Sequence, residues 1–450
     1  MPKFLPSVRN LLKGQSYFDL LLGIALLSIF GLALFRISSL SYEIISYSRA
    51  RIAAKYIAQE KIEVIRNLPY DDVGTLGGIP PGNLAQGENL QRNGINYMVR
   101  TIIIYIDDPF DTIAPTDTDP ADYKRVKVEV TWGGIAASSR NPVAISTDIS
   151  SGIATEIEGG VLKVLVFDAN GNPLPQASVN IVSSGITPAI DVTYETDEDG
   201  EVTLPGATEC VACYRITVTK TDYSLERTYS ISEITNPLKQ DQGVFADQVT
   251  QISFAIDKTS TLSVSSVTGR EQNYSPAPDV SFKLRGSKIL GTDAYAQPIY
   301  KLDDPFTTNA SGQVTIQDLE WDVYQIYMDT GTSYDIGGAT PLLPLNIVPD
   351  STNVLTFVVY AHSTHSLLTF VKDPTLSLIE NVYVKVYDGV SFDQTKTTGG
   401  SSAPDFGQTL FSGLEEKTYQ VEATASGFLN YTGEVIVTEY TKDEIVLTPE

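Results

Sequence analysis

The chain has 450 residues and a formal net charge of -24, with two cysteines, two histidines and 24 prolines. The charge is uneven: residues 1–66 carry +5 and the other 384 residues carry -29. A basic leader ahead of a long acidic, tyrosine-rich remainder argues against nucleic acid and anionic lipid as partners, and two histidines leave little for catalysis or metal binding.

The first element in chain order is a short basic segment with Lys3, Arg9 and Lys13, then Gly14-Gln15-Ser16-Tyr17-Phe18-Asp19, then the uncharged run Leu20 to Phe35. A carboxylate at the lip of a membrane-length apolar segment is costly unless something compensates it. Positive charge before the run and none within it predicts the leader on the inner side of the cytoplasmic membrane and the rest of the chain outside. From Ser16 to Asn67 there is no proline, so one helix of roughly 78 Å is expected, far longer than the ~30 Å of a bilayer core. Beyond Arg36, Ile45, Ile52 and Tyr56 fall on one helical line and Ala53, Ile57, Val64 and Leu68 on the adjoining one, predicting the face that packs on a small head. Leu68-Pro69 ends the helix.

This N-terminus resembles the class III signal of type IV prepilins and pseudopilins. The segment Ala58 to Asp71 (AQEKIEVIRNLPYD) likewise resembles the helix end of prepilin-type minor subunits. The resemblance implies cleavage by a prepilin peptidase after Gly14, methylation of Gln15 as the new first residue, and pairing of Asp19 with a neighbouring subunit's amino terminus. That family usually carries an aromatic residue or methionine where Gln15 stands and glutamate where Asp19 stands.

After a glycine- and proline-rich loop to about Asn93, three strands are expected: 96–106, 123–132 and 142–148. The first is built around Val99, Ile102, Ile104 and Tyr105, the second around Val126, Val128 and Val130. The connection holding Asp107, Asp108, Asp111, Asp117, Asp119 and Asp122 matches no cation-loop spacing and reads as a solvated acidic loop.

From Gly159 the chain repeats itself in three segments of about 90–100 residues. Each opens on an alternating strand, at Val161, Thr261 and Ser366. Each continues through a small-residue–valine strand to a glycine turn at Gly200, Gly312 and Gly407, then reaches a tyrosine, Tyr214, Tyr324 or Tyr419. Glycine to tyrosine is twelve residues in the second and third repeats and fourteen in the first, where Cys210 and Cys213 sit. A local disulfide stapling an enlarged hairpin tip is expected in the exported compartment, since no helix follows to make a redox Cys-x-x-Cys.

Gly171-Asn-Pro-Leu-Pro-Gln-Ala-Ser-Val179 and Thr196-Asp-Glu-Asp-Gly200 resemble the carboxypeptidase regulatory-like family, which implies transthyretin- or immunoglobulin-like β-sandwiches. Asp197-Glu-Asp-Gly200 lacks the glutamate a calcium loop needs and reads as a tight turn. Related surface domains can carry a Lys–Asn or Lys–Asp isopeptide bond assisted by a glutamate. Lys372, Asp373 and Glu422 approach that pattern, but Glu422 stands one residue out of step. His362-x-x-His365 reads as a solvated linker pair.

The expected architecture is an α+β pilin-like N-terminal module, with a long helix and a small antiparallel sheet, followed by three all-β Ig-like sandwich domains. Its parts are a leader (1–14), a helix (15–67), a β head (68–158) and repeats at 159–258, 259–361 and 362–450. The expected function is a minor or tip type IV pilin-like subunit. It partners other pilin subunits through its helix, sits in the cytoplasmic membrane before assembly and reaches the cell surface in a pilus filament. No catalytic residue, metal site or cofactor is expected. A pseudopilin of a secretion or DNA-uptake machine, and an unprocessed single-pass surface adhesin or stalk, share several of these features.

Overall fold

The computed structural model describes residues 17–107, 121–133, 142–151, 159–328 and 331–450, with the side chains of residues 17–20 and 23 outside the description. Two units are compact, Met1–Ile157 and Glu158–Glu450.

In the first unit one helix runs from Tyr17 to Arg66, 50 residues or roughly 75 Å. Its C-terminal part packs on an antiparallel meander of four strands in sequential order: Gly87–Arg92, Ile95–Ile106, Tyr123–Trp132 and Val143–Ile149. The core joins Ala50, Ala54, Ile57, Ala58, Ile62 and Ile65 of the helix to Tyr97, Val99, Ile103, Val126, Val128, Val130 and Trp132 of the sheet.

Three expectations are corrected here. Of the two expected helical lines, Ile57 is buried and Ala53 and Leu68 pack against the core, whereas Ile45, Ile52, Tyr56 and Val64 are 50–63 % exposed. Alanines spaced four apart make the contact because their small side chains let the helix lie close to the sheet. In the strand Ile95–Ile106 the buried residues are Tyr97, Val99, Thr101 and Ile103, so Ile102 and Ile104 belong to the other face. The tail of the expected loop is an edge strand, Gly87–Arg92, whose polar sequence hid it. Asn93 and Gly94, both at positive φ (51° and 76°), form the two-residue turn that pairs Arg92 with Ile95.

In the second unit the three repeats share one topology. The opening strands are Gly160–Phe167, Ser260–Thr268 and Ser366–Lys372. Each lies between an antiparallel strand (Glu201–Ala207, Gln313–Leu319, Gln408–Ser412) and a parallel closing strand (Val249–Ala255, Thr352–Ala361, Tyr440–Val446). A second sheet places Ser178–Ser183, Ser281–Gly286 and Tyr383–Tyr387 between antiparallel neighbours. Inward-facing residues of the two sheets form the cores, such as Leu262, Val264, Phe282, Leu284, Ile326 and Phe357 in the second repeat. These are β-sandwich-type sheets following one long helix.

The repeated glycine is sterically required. Gly200 and Gly312 have φ of +72° and +70°, and a Cβ would meet the carbonyl oxygens of Val166 and Ser266 at 2.5 and 2.7 Å. Gly312→Ala is expected to cost about 2 kcal/mol or more in urea denaturation. Gly171→Ala, at φ +81° with open space around it, is expected to cost less. Equal losses would show that backbone conformation alone sets the cost.

Candidate functional site

The N-terminal half of the helix is apolar and exposed, with Leu27 at 76 % and Phe35 at 70 %. It is long and apolar enough to cross a membrane. Two of its serines bond to the helix backbone: Ser28 and Ser41 donate to the carbonyls of Ile24 and Ile37 at 2.8 and 2.9 Å. Ile45, Ile52, Tyr56 and Val64 extend the exposed apolar surface along the side of the helix facing away from the sheet. Asp19 stands in the first turn of this helix. Gly14 and Gln15 lie outside the described residues, as does the acidic connection apart from its ends.

The helix is held on the head by polar contacts as well as by its alanine face. Lys61 pairs with Glu88, and Arg92 meets Glu60 at 2.6 Å, tying the helix to the edge strand. Lys124, 2 % exposed, donates to the Tyr70 carbonyl at 2.7 Å beneath the Tyr70 ring, 4.3 Å away. Burial pushes its ammonium down to about 8, against the opposing pull of Asp71 and Asp72. The unfolded chain therefore holds this proton more tightly, and the head's stability should rise between pH 8 and about 10. Above that, half-buried Tyr105, pushed up to about 12 by desolvation and the negative charges near it, opposes ionisation and reverses the trend. Thermal melts across this range should show the rise, and Lys124→Met should flatten it; a rise that persists in that variant would contradict the assignment.

In the repeats, the aspartate turns resolve as backbone caps. Asp197 accepts from the amides of Asp199 and Glu201 at 3.0 and 2.8 Å, and Asn309 does the same for Ser311 and Gln313 at 2.8 and 3.1 Å. The repeated tyrosine closes a corner. The hydroxyls of Tyr214 and Tyr324 donate to the carbonyls of Thr208 and Glu320, six and four residues back, and Tyr419 accepts from the Glu415 amide.

The two additional residues of the first repeat lie inside this corner. Cys210 and Cys213 are disulfide-bonded with Cα atoms 6.0 Å apart, and Ser183 donates to the Cys213 sulfur at 3.1 Å. They occupy the start of the strand Cys210–Thr219 and not the hairpin tip. Ala212 adopts φ +51° there, and the pairing with Gln242 and Val244 is bulged.

The remaining candidate chemistry is not brought together. His362 faces Asp335 at 2.8 Å, whereas His365 meets the Thr438 carbonyl at 2.6 Å. Lys372 pairs with Glu444, Asp373 caps the turn at Thr375 and Ser377, and Glu422 accepts from the Tyr387 hydroxyl. Among the described residues no group of three or more His, Cys, Asp or Glu could hold a metal ion.

Sequence reasoning missed the junctions between repeats. At the first, Asn236–Pro237 pairs with the strand Ile289–Thr292 of the second repeat. Glu226 joins Lys239 and Lys301, Glu320 joins Lys301 and Lys288, and Lys288 sits 3.4 Å above the Trp321 ring. These residues line a cleft of about 390 Å³.

At the second junction Asp405, 1 % exposed, accepts two bonds from Arg270 at 2.6 and 3.2 Å and one from the Tyr274 hydroxyl at 2.8 Å. Gln408 exchanges bonds with the backbone of Ala339, and Tyr440 packs on the second repeat's core while donating to the Ile336 carbonyl at 2.8 Å. Across this junction the third repeat lies alongside the strand Tyr334–Thr340 of the second.

No protein-family model and no curated protein matches the chain. Among solved structures it is similar to the Bacillus anthracis TIE protein, at 11 % identity and TM-score 0.18 over 80 % of this chain and 73 % of that one. It is also similar to GBS52, the minor pilin of Streptococcus agalactiae, at 14 % identity and TM-score 0.23 over 45 % and 96 %. A streptococcal ancillary pilin matches at 12 % identity and TM-score 0.18 over 65 % and 99 %. Overlaps this weak identify neither a function nor a partner.

Proposed function

We propose that the chain is a minor or tip type IV pilin-like subunit. The N-terminal helix anchors it in the membrane and then in the filament core. Three β-sandwiches, at 159–258, 259–361 and 362–450, are displayed outward for structure or adhesion. The observation that carries this reading is the division of one 50-residue helix into an exposed apolar half and a half seated on a four-stranded head. An anchor alone needs only about 20 residues, and the remaining length suits a helix that also assembles with its neighbours. Prepilin peptidase, the membrane and other pilin subunits are the partners this requires, and the role is structural, not enzymatic.

Replacing Gly14 tests the reading. Gly14→Val places a branched side chain where the peptidase must accept extended backbone beside the scissile bond. The variant should keep its leader, remain in the membrane and be absent from sheared surface filaments. A mature mass identical to that of the parent processed chain would contradict the cleavage assignment.

A further inference from the structure

We propose that the repeats form a tension-bearing stalk, each built around a shear clamp. The inference rests on the reading above only for where the load comes from, a membrane- or filament-held helix at one end and a displayed repeat at the other. The clamp itself stands on strand register. In every repeat the opening strand, where the chain enters, pairs in parallel with the closing strand, where it leaves. The pairs run Val161↔Val249 to Phe167↔Ala255, Thr261↔Thr352 to Thr268↔Val359, and Ser366↔Tyr440 to Lys372↔Val446.

Tension between the two ends of a repeat therefore pulls neighbouring strands past each other along their own axes. The evenly spaced bonds of a parallel ladder then share the load, and none can open before the others. An antiparallel hairpin pulled from its two free ends instead loses its bonds one at a time. The opening strand is also an interior strand of its sheet, flanked on its other side by the glycine-turn strand. Sliding it out breaks a second ladder and drags Leu162, Val164 and Val166, or Leu262 and Val264, or Leu367 and Val371, from their cores. Forced opening is governed by the unfolding rate and not by equilibrium stability, so a geometry that raises this barrier gives resistance at ordinary stability.

Two attachment points ten residues apart test this on the full chain in detergent, each used with a second added cysteine at Glu158, which precedes the opening strand in the sequence, so that only the first repeat is loaded. Cys210 and Cys213 are bonded to each other, so the added cysteines are the free thiols. Lys258→Cys pulls the first repeat from beyond the end of its closing strand and loads the ladder in shear. Gln248→Cys pulls from the start of that strand, on the same side as the chain's entry, and peels the ladder. Both side chains are exposed, and neither substitution reaches the core.

The clamp predicts one opening of roughly 30 nm in each geometry, with the shear force several-fold above the peeling force. Similar forces in the two geometries would overturn the proposal. The result does not depend on leader cleavage or filament incorporation, so it can fail or succeed independently of the pilin reading.

Discussion

Asp19→Leu is expected to insert into the membrane and lose its leader as the parent chain does, yet to fall at least tenfold in sheared filaments. Asp19 lies in the first turn of the helix, immediately before the uncharged run. A lone carboxylate at membrane depth costs about 2.5–3.5 kcal/mol on insertion scales, so an isolated anchor would gain from leucine. A subunit whose carboxylate receives a neighbour's amino terminus would instead leave that terminus uncompensated in an apolar filament core. A factor of ten requires only ~1.4 kcal/mol, less than breaking a buried pair typically costs. Asp19→Glu should assemble close to the parent level. Filament incorporation of Asp19→Leu equal to that of the parent would remove the assembly role.

The second large effect belongs to the junction of the second and third repeats. Arg270→Ala should cost about 3 kcal/mol, because Asp405 would remain buried with the Tyr274 hydroxyl but without its cation. For the unit Glu158–Glu450 the loss corresponds to a fall of roughly 5 °C in Tm. Replacing both partners, Arg270→Leu with Asp405→Leu, should recover part of it, since no buried charge is then left unpaired. Arg285→Ala is the comparison: its pair with Asp303 at 3.0 Å is about 30 % exposed on both sides and should cost less. If the double replacement loses as much as the sum of the two single ones, the pair is not coupled and the junction is held by Tyr440 and Gln408.

What the sequence disclosed and what it withheld follow from the range of the signals. The helix was legible because an uninterrupted stretch of apolar and helix-forming residues ends at Pro69, a local event. Its packed face was legible in part: Ile57, Ala53 and Leu68 pack on the head as expected, but large apolar residues also draw attention to Ile45, Ile52 and Tyr56 while the sheet selects the small Ala50, Ala54 and Ala58. The strand Gly87–Arg92 has no apolar alternation, since its side chains face solvent, yet Asn93-Gly94 was a hairpin signal in plain view. The glycine turns and tyrosines were readable as repeats because each repeat solves the same backbone problem with the same residue. Arg270 and Asp405, 135 residues apart, carry no pattern that joins them, and Tyr440 reads as an ordinary strand residue until the third repeat is laid against the second.

The N-terminal sequence of the mature protein, read from chain purified out of its native membrane and from sheared filaments, tests the central claim most directly. The pilin reading predicts a chain beginning at Gln15 with a methylated amino group, in both fractions. Retention of Met1, or a first residue elsewhere than Gln15, would contradict it and leave the helix as a simple surface anchor.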